Sequence, residues 1–211
     1  MITPYSYNYL FYLCVLSSII YIDGVVVMEF QKVIEKRKTI RKFLSKDVSA
    51  DDIDLIIRNG ALAPSSKNRQ PWKFVVLKNL KKDAISFKMI DWVQGVNKDK
   101  DPTAIFSNSV YKTAIAIQQA PALILIYKKN LIGNEYSDLL SLGACLENMF
   151  LTAVDLKLGA LWTTDILYAE KEINKVLKVK DYELISGLAI GYPNENPKAQ
   201  LKEIVVYKTL K

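Results

Sequence analysis

The sequence predicts a single α+β domain, and three observations lead to this class. The chain has 211 residues, a length that corresponds to about one domain. Half of the residues are apolar and 24% are charged, a composition typical of a globular protein with a substantial core. Amphipathic segments with helical spacing alternate along the chain with short, continuously apolar segments that fit buried strands.

The N-terminal 27 residues stand apart from this pattern. Residues 1–22 carry no charged side chain, and residues 9–22 are almost continuously apolar. This run is shorter than the roughly 20 residues that cross a bilayer, and it lacks the features of a signal peptide. Three interpretations remain: an upstream start assigned in error before Met28, a weak membrane tether, or an extension packed on the domain. We favour the first and predict a boundary between residues 1–27 and 28–211, with membrane contact only if the extension is real.

The first half of the domain contains several helices and one strand. Phe30, Val33 and Ile34 have helical spacing and predict a short helix over residues 29–36. Ser49, followed by Asp52 three residues later, resembles a capping box and predicts the start of a second helix, which Pro64 ends. Next we expect a strand at 74–78, a helix at 80–90, a loop without clear period at 94–107 and a helix at 111–119.

The second half is built around one long helix. Apolar residues recur at spacings of three and four from Leu139 to Val154. They predict a central helix over residues 138–157 that is buried on more than one side and ends near Gly159. The remaining predicted elements are buried strands at 122–127 and 184–192, a short strand at 160–163, a helix at 168–177 and a C-terminal strand at 203–207.

The chain has no histidine, and this excludes several classes of function. Ser-His-Asp catalysis, an imidazole general base and His-containing metal sites are impossible. The two cysteines, Cys14 and Cys145, form neither a metal cluster nor a disulfide framework by themselves, and Cys145 fits a buried apolar position. The net charge of +7 comes mainly from lysines scattered along the chain, which predicts a solvated surface and no nucleic-acid partner. The composition therefore favours chemistry carried by a bound cofactor.

One basic segment has the composition of an anion site. All four arginines lie between positions 37 and 69, and we interpret this clustering as a sign of an anionic ligand, because guanidinium groups suit phosphate and carbonyl oxygens. Residues 36–43 read KRKTIRKF. The side chains of Arg37, Lys38, Thr39 and Arg41 fit a phosphate cradle. The alternative is a basic helix end that satisfies terminal carbonyls.

A second segment, APSSKNRQPW at 63–72, is a polar loop between two prolines. Pro64 and Pro71 fix the backbone at its ends. Short hydroxyl and amide groups on such a loop suit the edge of a flat heterocycle, whose faces the prolines and Trp72 would cover. The alternative is an ordinary polar turn that joins a helix to a strand. The donors and acceptors are Ser65, Ser66, Asn68 and Gln70.

Together these segments resemble the FMN-dependent nitroreductase family. The resemblance covers residues 28–211 and leaves out the first 27. It rests on five segments that occur in the family's order: RKTIRKF at 37–43, APSSKNRQPW at 63–72, SLGACLENM at 141–149, LGALW at 158–162 and AIGYP at 189–193.

The resemblance implies a nitroreductase-like α+β fold with helices around a central mixed β-sheet and a C-terminal strand exchanged with the partner of a homodimer. Each of two FMN sites would be built from both subunits. Arg37, Lys38 and Thr39 would bind the FMN phosphate and ribityl chain, and Arg41 would stabilise the charge of the reduced flavin at its pyrimidine edge. The other implied residues are Pro64, Ser65, Ser66, Asn68 and Gln70 in the loop of the partner subunit, Leu161 and Trp162 beside flavin N5, and Lys198 and Gln200 in the C-terminal tail, where the second cation of the family's pair is missing.

The implied activity is that of a cytoplasmic oxidoreductase dependent on NADH or NADPH. Hydride would pass through flavin N5, in a ping-pong mechanism, to nitroaromatic, quinone or similar electron-poor small molecules. Because FMN carries the hydride, no catalytic side chain and no metal are predicted. The alternative is a specialised flavoprotein on the same fold: a dehalogenase, a flavin-cleaving enzyme or a flavin-storage protein. The loop at 94–107 offers no chemical basis for choosing between them.

Overall fold

The computed structural model describes residues 19–22, 25–96 and 101–198, which contain strands and helices in both halves of the chain. The expected strand at 203–207 lies outside these residues. In chain order the elements are β1 (Ile19–Ile22), β2 (Val25–Met28), α1 (Phe30–Lys36), α2 (Ala50–Ala61), β3 (Trp72–Lys78), α3 (Asn79–Gly95), α4 (Ser107–Gln119), β4 (Ala122–Lys129), α5 (Glu135–Asp155), β5 (Gly159–Thr163), α6 (Glu170–Leu177) and β6 (Tyr182–Gly191), with 3₁₀ helices at Ser66–Asn68, Pro102–Phe106 and Asp165–Ala169.

A four-stranded sheet in the order β3-β4-β6-β5 forms the centre of the fold. Its three strand pairings are antiparallel. The sequence predicts a mixed sheet. Among the described residues there is one parallel contact, the bridge between Thr39 and Ala160 at the outer edge of β5. Strand β4 is buried from Ala122 to Lys128, because helices cover both faces of the sheet.

The core has two parts, one on each face of the sheet. On one face, side chains of α2 and α5 pack against Ile124, Ile126 and Leu188. On the other face, side chains of α3, α4 and α6 pack against Leu123, Leu125 and Ala189. Consecutive residues of β4 thus serve opposite layers, as the two-residue period of a strand requires. The α+β class with helices around a central sheet is confirmed.

Strands β1 and β2 form a separate two-stranded antiparallel sheet, in which Ile19 pairs with Met28. The sequence predicts no element here, because the apolar run of the N-terminal extension shows neither strand nor helix periodicity. The predicted boundary at Met28 therefore coincides with the last residue of β2.

Most predicted helices are confirmed within a few residues. The Ser49 Oγ accepts a hydrogen bond from the Asp52 N–H at 3.0 Å, so the predicted cap does start α2. Helix α5 occupies Glu135–Asp155, but the prediction that it is buried on more than one side is wrong for a single chain. One broad face is buried, whereas Tyr136 and Leu140 are 85% and 75% exposed.

The predicted loop at 94–107 is shorter in the structure. Helix α3 continues to Gly95, since Trp92 and Val93 pack against the core and hold its last turn. The Pro102–Phe106 turn begins where the Asp101 carboxylate accepts the Thr103 N–H at 2.8 Å, and it leads directly into α4. None of the helices in the described ranges is long and apolar enough to span a membrane.

Candidate functional site

The basic segment, residues 36–43, borders the outer edge of β5. The Ile40 N–H donates to the Ala160 carbonyl at 2.9 Å, and Ile40 and Phe43 are buried as anchors. The approach is so close that a Cβ at Gly159 would lie 2.7 Å from Ile40 Cγ1. A residue with a side chain at position 159 would push the segment away. Lys38 and Thr39, which precede Ile40, are half-buried. Arg41, which lies between Ile40 and Phe43, is exposed.

The tail segment, residues 193–198, holds the basic segment from its other side. The Glu195 carboxylate accepts the backbone N–H groups of Arg41 and Lys42, the latter at 3.1 Å. Lys38 Nζ donates to Asn196 Oδ1 at 3.0 Å. The tail thus reaches the predicted phosphate cradle, but through Glu195 and Asn196, which the sequence did not single out. Lys198 lies exposed at the end of this segment, and Gln200 lies outside the described residues.

The two arginines of the basic segment differ in their partners. The Arg37 guanidinium lies 5.0 Å from the centroid of the Phe150 ring, and its Nε is 3.9 Å from Glu147 Oε1. Helix α5 therefore orients Arg37. The Arg41 side chain is exposed and has no hydrogen-bond or ion-pair partner in the part of the chain that the structure describes. Its guanidinium is available to a ligand.

The interpretation that all four arginines mark one anionic ligand is wrong for two of them. Arg58 pairs with Asp54 on the exposed face of α2 at 2.6 Å. The Arg69 guanidinium is taken up by the nearly buried Asp138 carboxylate. Proximity in sequence does not put these side chains together, because Arg58 pairs along its own helix and Arg69 pairs with Asp138 on α5.

The polar loop, residues 63–71, has a strained backbone. Lys67, Asn68 and Gln70 are non-glycine residues with φ of 51°, 54° and 47°, in the left-handed region. Hydrogen bonds within the loop hold it: the Gln70 N–H donates to Ser65 Oγ, and Gln70 Nε2 donates to Asn68 Oδ1, both at 3.0 Å. Gln70 therefore contributes two of the hydrogen bonds within the loop. The Ser66 hydroxyl has no hydrogen-bond partner among the described residues.

The aromatic and apolar residues of the candidate site differ in their exposure: two are buried and two are accessible. Trp72 is 7% exposed and belongs to the core, so its predicted role beside a heterocycle is wrong. Leu161 is 2% exposed and belongs to the core. Trp162 is 36% exposed on β5, next to the basic segment. Pro64 is exposed at the start of the polar loop.

One chain holds the basic segment and the polar loop at diagonally opposite corners of the sheet. The polar loop enters β3 and the basic segment borders β5, and these edge strands are three strand spacings apart, about 14 Å. Ala160 aligns through β6 and β4 with Lys78, at the far end of β3 from Trp72, which adds about 20 Å along the strands. The two motifs of a single chain therefore cannot meet on one small ligand.

The interior offers no alternative redox centre in the described residues. Cys145 is buried, and desolvation raises the pKa of its thiol to about 12, so it stays protonated and unreactive. This agrees with its predicted place as a small apolar side chain. The described ranges contain no group of three or more side chains that could hold a metal ion.

Comparison with known proteins agrees with this fold. The sequence profile of the nitroreductase family matches residues 34–192. A BluB-like flavoprotein from Clostridium difficile 630 is 31% identical, with a TM-score of 0.70 over 84% of this chain and 95% of that chain. An FMN-dependent nitroreductase from Mycobacterium smegmatis, solved with NADPH, is 15% identical, with a TM-score of 0.67 over 85% of this chain and 97% of that chain.

An iodotyrosine deiodinase from Hydra vulgaris is 28% identical over 190 residues, which are 80% of this chain and 66% of that protein. The chain thus spans about two thirds of the length of this relative. The fold and the matched profile define an oxidoreductase built on the nitroreductase fold. The chain belongs to the nitroreductase family.

Proposed function

We propose that the protein is an FMN-dependent oxidoreductase that uses NADH or NADPH and works as a homodimer. The observation that carries the proposal is the available guanidinium of Arg41, on a basic segment whose backbone is held by Glu195 and by Ala160 of β5. The 31% identity to a flavoprotein over nearly its whole length supports the same cofactor class.

The donors of the basic segment fit FMN. A phosphate dianion needs cations and directional donors, which Arg37, Lys38 and Thr39 provide on consecutive residues. Lys38 has three N–H donors and uses one on Asn196, which leaves two for a phosphate. Bound FMN would supply the hydride chemistry between the nicotinamide and an electron-poor acceptor.

Arg41 acts as an electrostatic stabiliser in this proposal. Glu195 fixes its backbone, so the guanidinium extends from a defined point at the sheet edge. A fixed positive charge favours a nearby group that becomes negative during the reaction, and it needs no reorganisation at that moment. Protons would come from water in this proposal, because the chain has no histidine to supply them.

The distance between the two motifs in one chain supports the proposed homodimer. Pro64, Ser65, Ser66, Asn68 and Gln70 would line the flavin bound at the basic segment of the other subunit. The exposed Tyr136 and Leu140 on α5 support a protein contact on this side. The exchange of a C-terminal strand, the part played by Lys198 and Gln200, and a cytoplasmic location stay predictions.

The acceptor is a nitroaromatic, a quinone or a similar molecule in this proposal. A dehalogenase is the second candidate, because relatives include an iodotyrosine deiodinase. Both reactions start from the same reduced flavin, so they differ only in what the cleft accepts.

The test begins with the colour of the purified protein. We expect bound flavin absorbing near about 450 nm, which NADH or NADPH bleaches under anaerobic conditions in a stopped-flow instrument. Reoxidation by a nitroaromatic, a quinone and a halotyrosine then compares the two candidates. Double-reciprocal plots at several acceptor concentrations should be parallel, as ping-pong turnover requires. A protein that neither contains nor binds FMN would overturn the proposal.

The flavin-binding domain is residues 28–211 in this proposal, and residues 1–27 are dispensable for it. The hairpin of β1 and β2 is a sheet of its own, which supports a division near this boundary, although Met28 itself is the last residue of β2. Residues 28–211, expressed alone, are expected to give a soluble, yellow dimer with full activity, and a colourless or aggregated product would contradict the boundary.

A further inference from the structure

We propose that Arg69 and Asp138 form a clasp that sets the conformation of the polar loop and thereby positions its hydroxyl and amide groups on the cofactor. The inference rests on the proposed function, since it takes FMN as the ligand of the loop. It makes Arg69 a positioning residue that acts through its neighbours.

The clasp consists of hydrogen bonds from Arg69 to one carboxylate and to two backbone carbonyls. Arg69 Nε and Nη2 donate to the two oxygens of Asp138, both at 3.0 Å. Arg69 also donates to the carbonyls of Ile132 at 3.2 Å and Gly133 at 3.0 Å. The Asp138 side chain is 3% exposed and the Arg69 side chain 22%, so the carboxylate of this planar, two-pronged pair is removed from water while part of the guanidinium stays exposed. The hydrogen bonds to Asp138 raise the pKa of Arg69 further above its ordinary value.

The position of the clasp in the loop explains what it does. Asn68 and Gln70, the residues on either side of Arg69, both have left-handed backbones. Non-glycine residues leave this conformation unless their surroundings hold them in it. Arg69 is the loop residue that ties this strained stretch to α5, through Asp138 in the first turn of that helix.

Other contacts keep the end of the loop in place without Arg69. The Lys129 N–H donates to the Pro71 carbonyl at 2.8 Å, and Lys129 Nζ donates to the Gln70 carbonyl at 2.9 Å. Strand β3 is therefore fixed where it begins. Loss of the clasp should release Ser65, Ser66 and Asn68 while the sheet stays intact.

The experiment compares three clasp variants with a matched control. Arg69→Ala removes the clasp, Asp138→Asn places a donor against the guanidinium, and Arg69→Lys keeps the charge but not the two-pronged pair. Arg58→Ala is the control, because it breaks an Arg–Asp pair at the surface of α2. Apoprotein of each variant is titrated with FMN by flavin fluorescence, and thermal unfolding and the visible circular dichroism of bound flavin are recorded.

We expect the dissociation constant for FMN to rise about tenfold to a hundredfold in Arg69→Ala and Asp138→Asn, and less in Arg69→Lys. The control should stay within about twofold of the wild type. The visible circular dichroism should change in the clasp variants, since it reports the surroundings of the ring. Should Arg69→Ala fail to fold, Arg69→Lys carries the comparison.

Two results would overturn the inference, and they are distinguishable. Folded clasp variants that bind FMN as tightly as the control would show that the pair only stabilises the fold, and the proposed function would stand. A wild-type protein that does not bind FMN would refute the proposed function itself, and the inference with it.

Discussion

Arg41 combines an available side chain with a backbone that other residues hold in place. Its side chain has no partner in the described part of the chain, whereas its backbone is bound by Glu195. The neighbouring Lys42 is also exposed and is bound by the same carboxylate, so the two residues differ mainly in their side chains.

Replacement of Arg41 should therefore affect rate more than cofactor binding. We expect Arg41→Ala to retain FMN and to slow reduction of the flavin by NADH or NADPH about tenfold to a hundredfold. Arg41→Lys should recover part of this loss, since it keeps a point charge. Anaerobic stopped-flow measurements give the rate, and Lys42→Ala is the control. Reduction of Arg41→Ala at the wild-type rate would remove Arg41 from this role.

Cys145 gives a prediction for stability at alkaline pH. Its thiol has a pKa of about 12 in the folded protein, against 9.0 as the ordinary value. A raised folded pKa contributes stability that is complete below pH 9 and is lost as the pH rises toward 12. In a Cys14→Ser background, the free energy of unfolding should fall by about 1.4 kcal/mol more than that of Cys145→Ala between pH 8 and 10. Urea denaturation measures both, and equal losses would contradict the buried, protonated thiol.

At the scale of elements, the site depends on contact between the basic segment and β5. Gly159 permits that contact, and Gly95, at the end of α3, is a suitable comparison because nothing lies within 4 Å of its missing Cβ. A residue without a side chain is also needed at Gly191, because a Cβ there would lie 2.4 Å from Pro121 and 3.0 Å from Phe43.

We expect Gly159→Ala to lower both the unfolding temperature and the affinity for FMN, because Ile40 must move and the cradle residues move with it. A destabilisation of about 1–3 kcal/mol is typical of overpacking in a filled site. Gly95→Ala should leave both quantities near the wild-type values. Calorimetry and FMN titration of the two variants make the comparison, and an unshifted Gly159→Ala would mean that the basic segment adapts without loss.

Local patterns in the sequence predict what local forces decide. Ser49 caps α2 through a bond to a residue three positions away, so the sequence alone reveals it. Residues of β4 form one apolar run, and the run predicts a buried strand directly. The two motifs of the candidate site are equally local, since each occupies about ten consecutive residues.

The sequence contains no local pattern that predicts contacts between residues far apart along the chain. Glu195 meets Arg41 across 154 positions, and Arg69 meets Asp138 across 69. Both acidic residues look like ordinary surface charges in the sequence, because their partners are fixed only after the sheet has formed. The same holds for Trp72, whose motif suggests a ligand but whose position at the start of β3 puts it in the core.

For the whole molecule, the separation of the two motifs predicts complementation between inactive subunits. In a dimer with shared sites, a chain carrying Arg41→Ala and a chain carrying Asn68→Ala together form one intact site and one doubly altered site. Coexpression should restore about a quarter of the wild-type activity in the unsorted mixture, since about half of the dimers are mixed and each has one good site. Mixed dimers isolated through two different affinity tags should show about half of the wild-type activity. Activity no higher than the mean of the two parents would place both motifs of each site on one chain.

The diagonal placement of the motifs also makes cofactor retention a matter of mass action. If each FMN touches two subunits, its binding free energy is shared with subunit association, and each event strengthens the other by the same factor. Dilution would then release flavin even where the concentration of free FMN is held constant, and excess FMN would oppose dissociation of the subunits. Flavin occupancy therefore reports the assembly of the dimer, and it can be followed by flavin fluorescence as a concentrated sample is diluted into a fixed concentration of FMN.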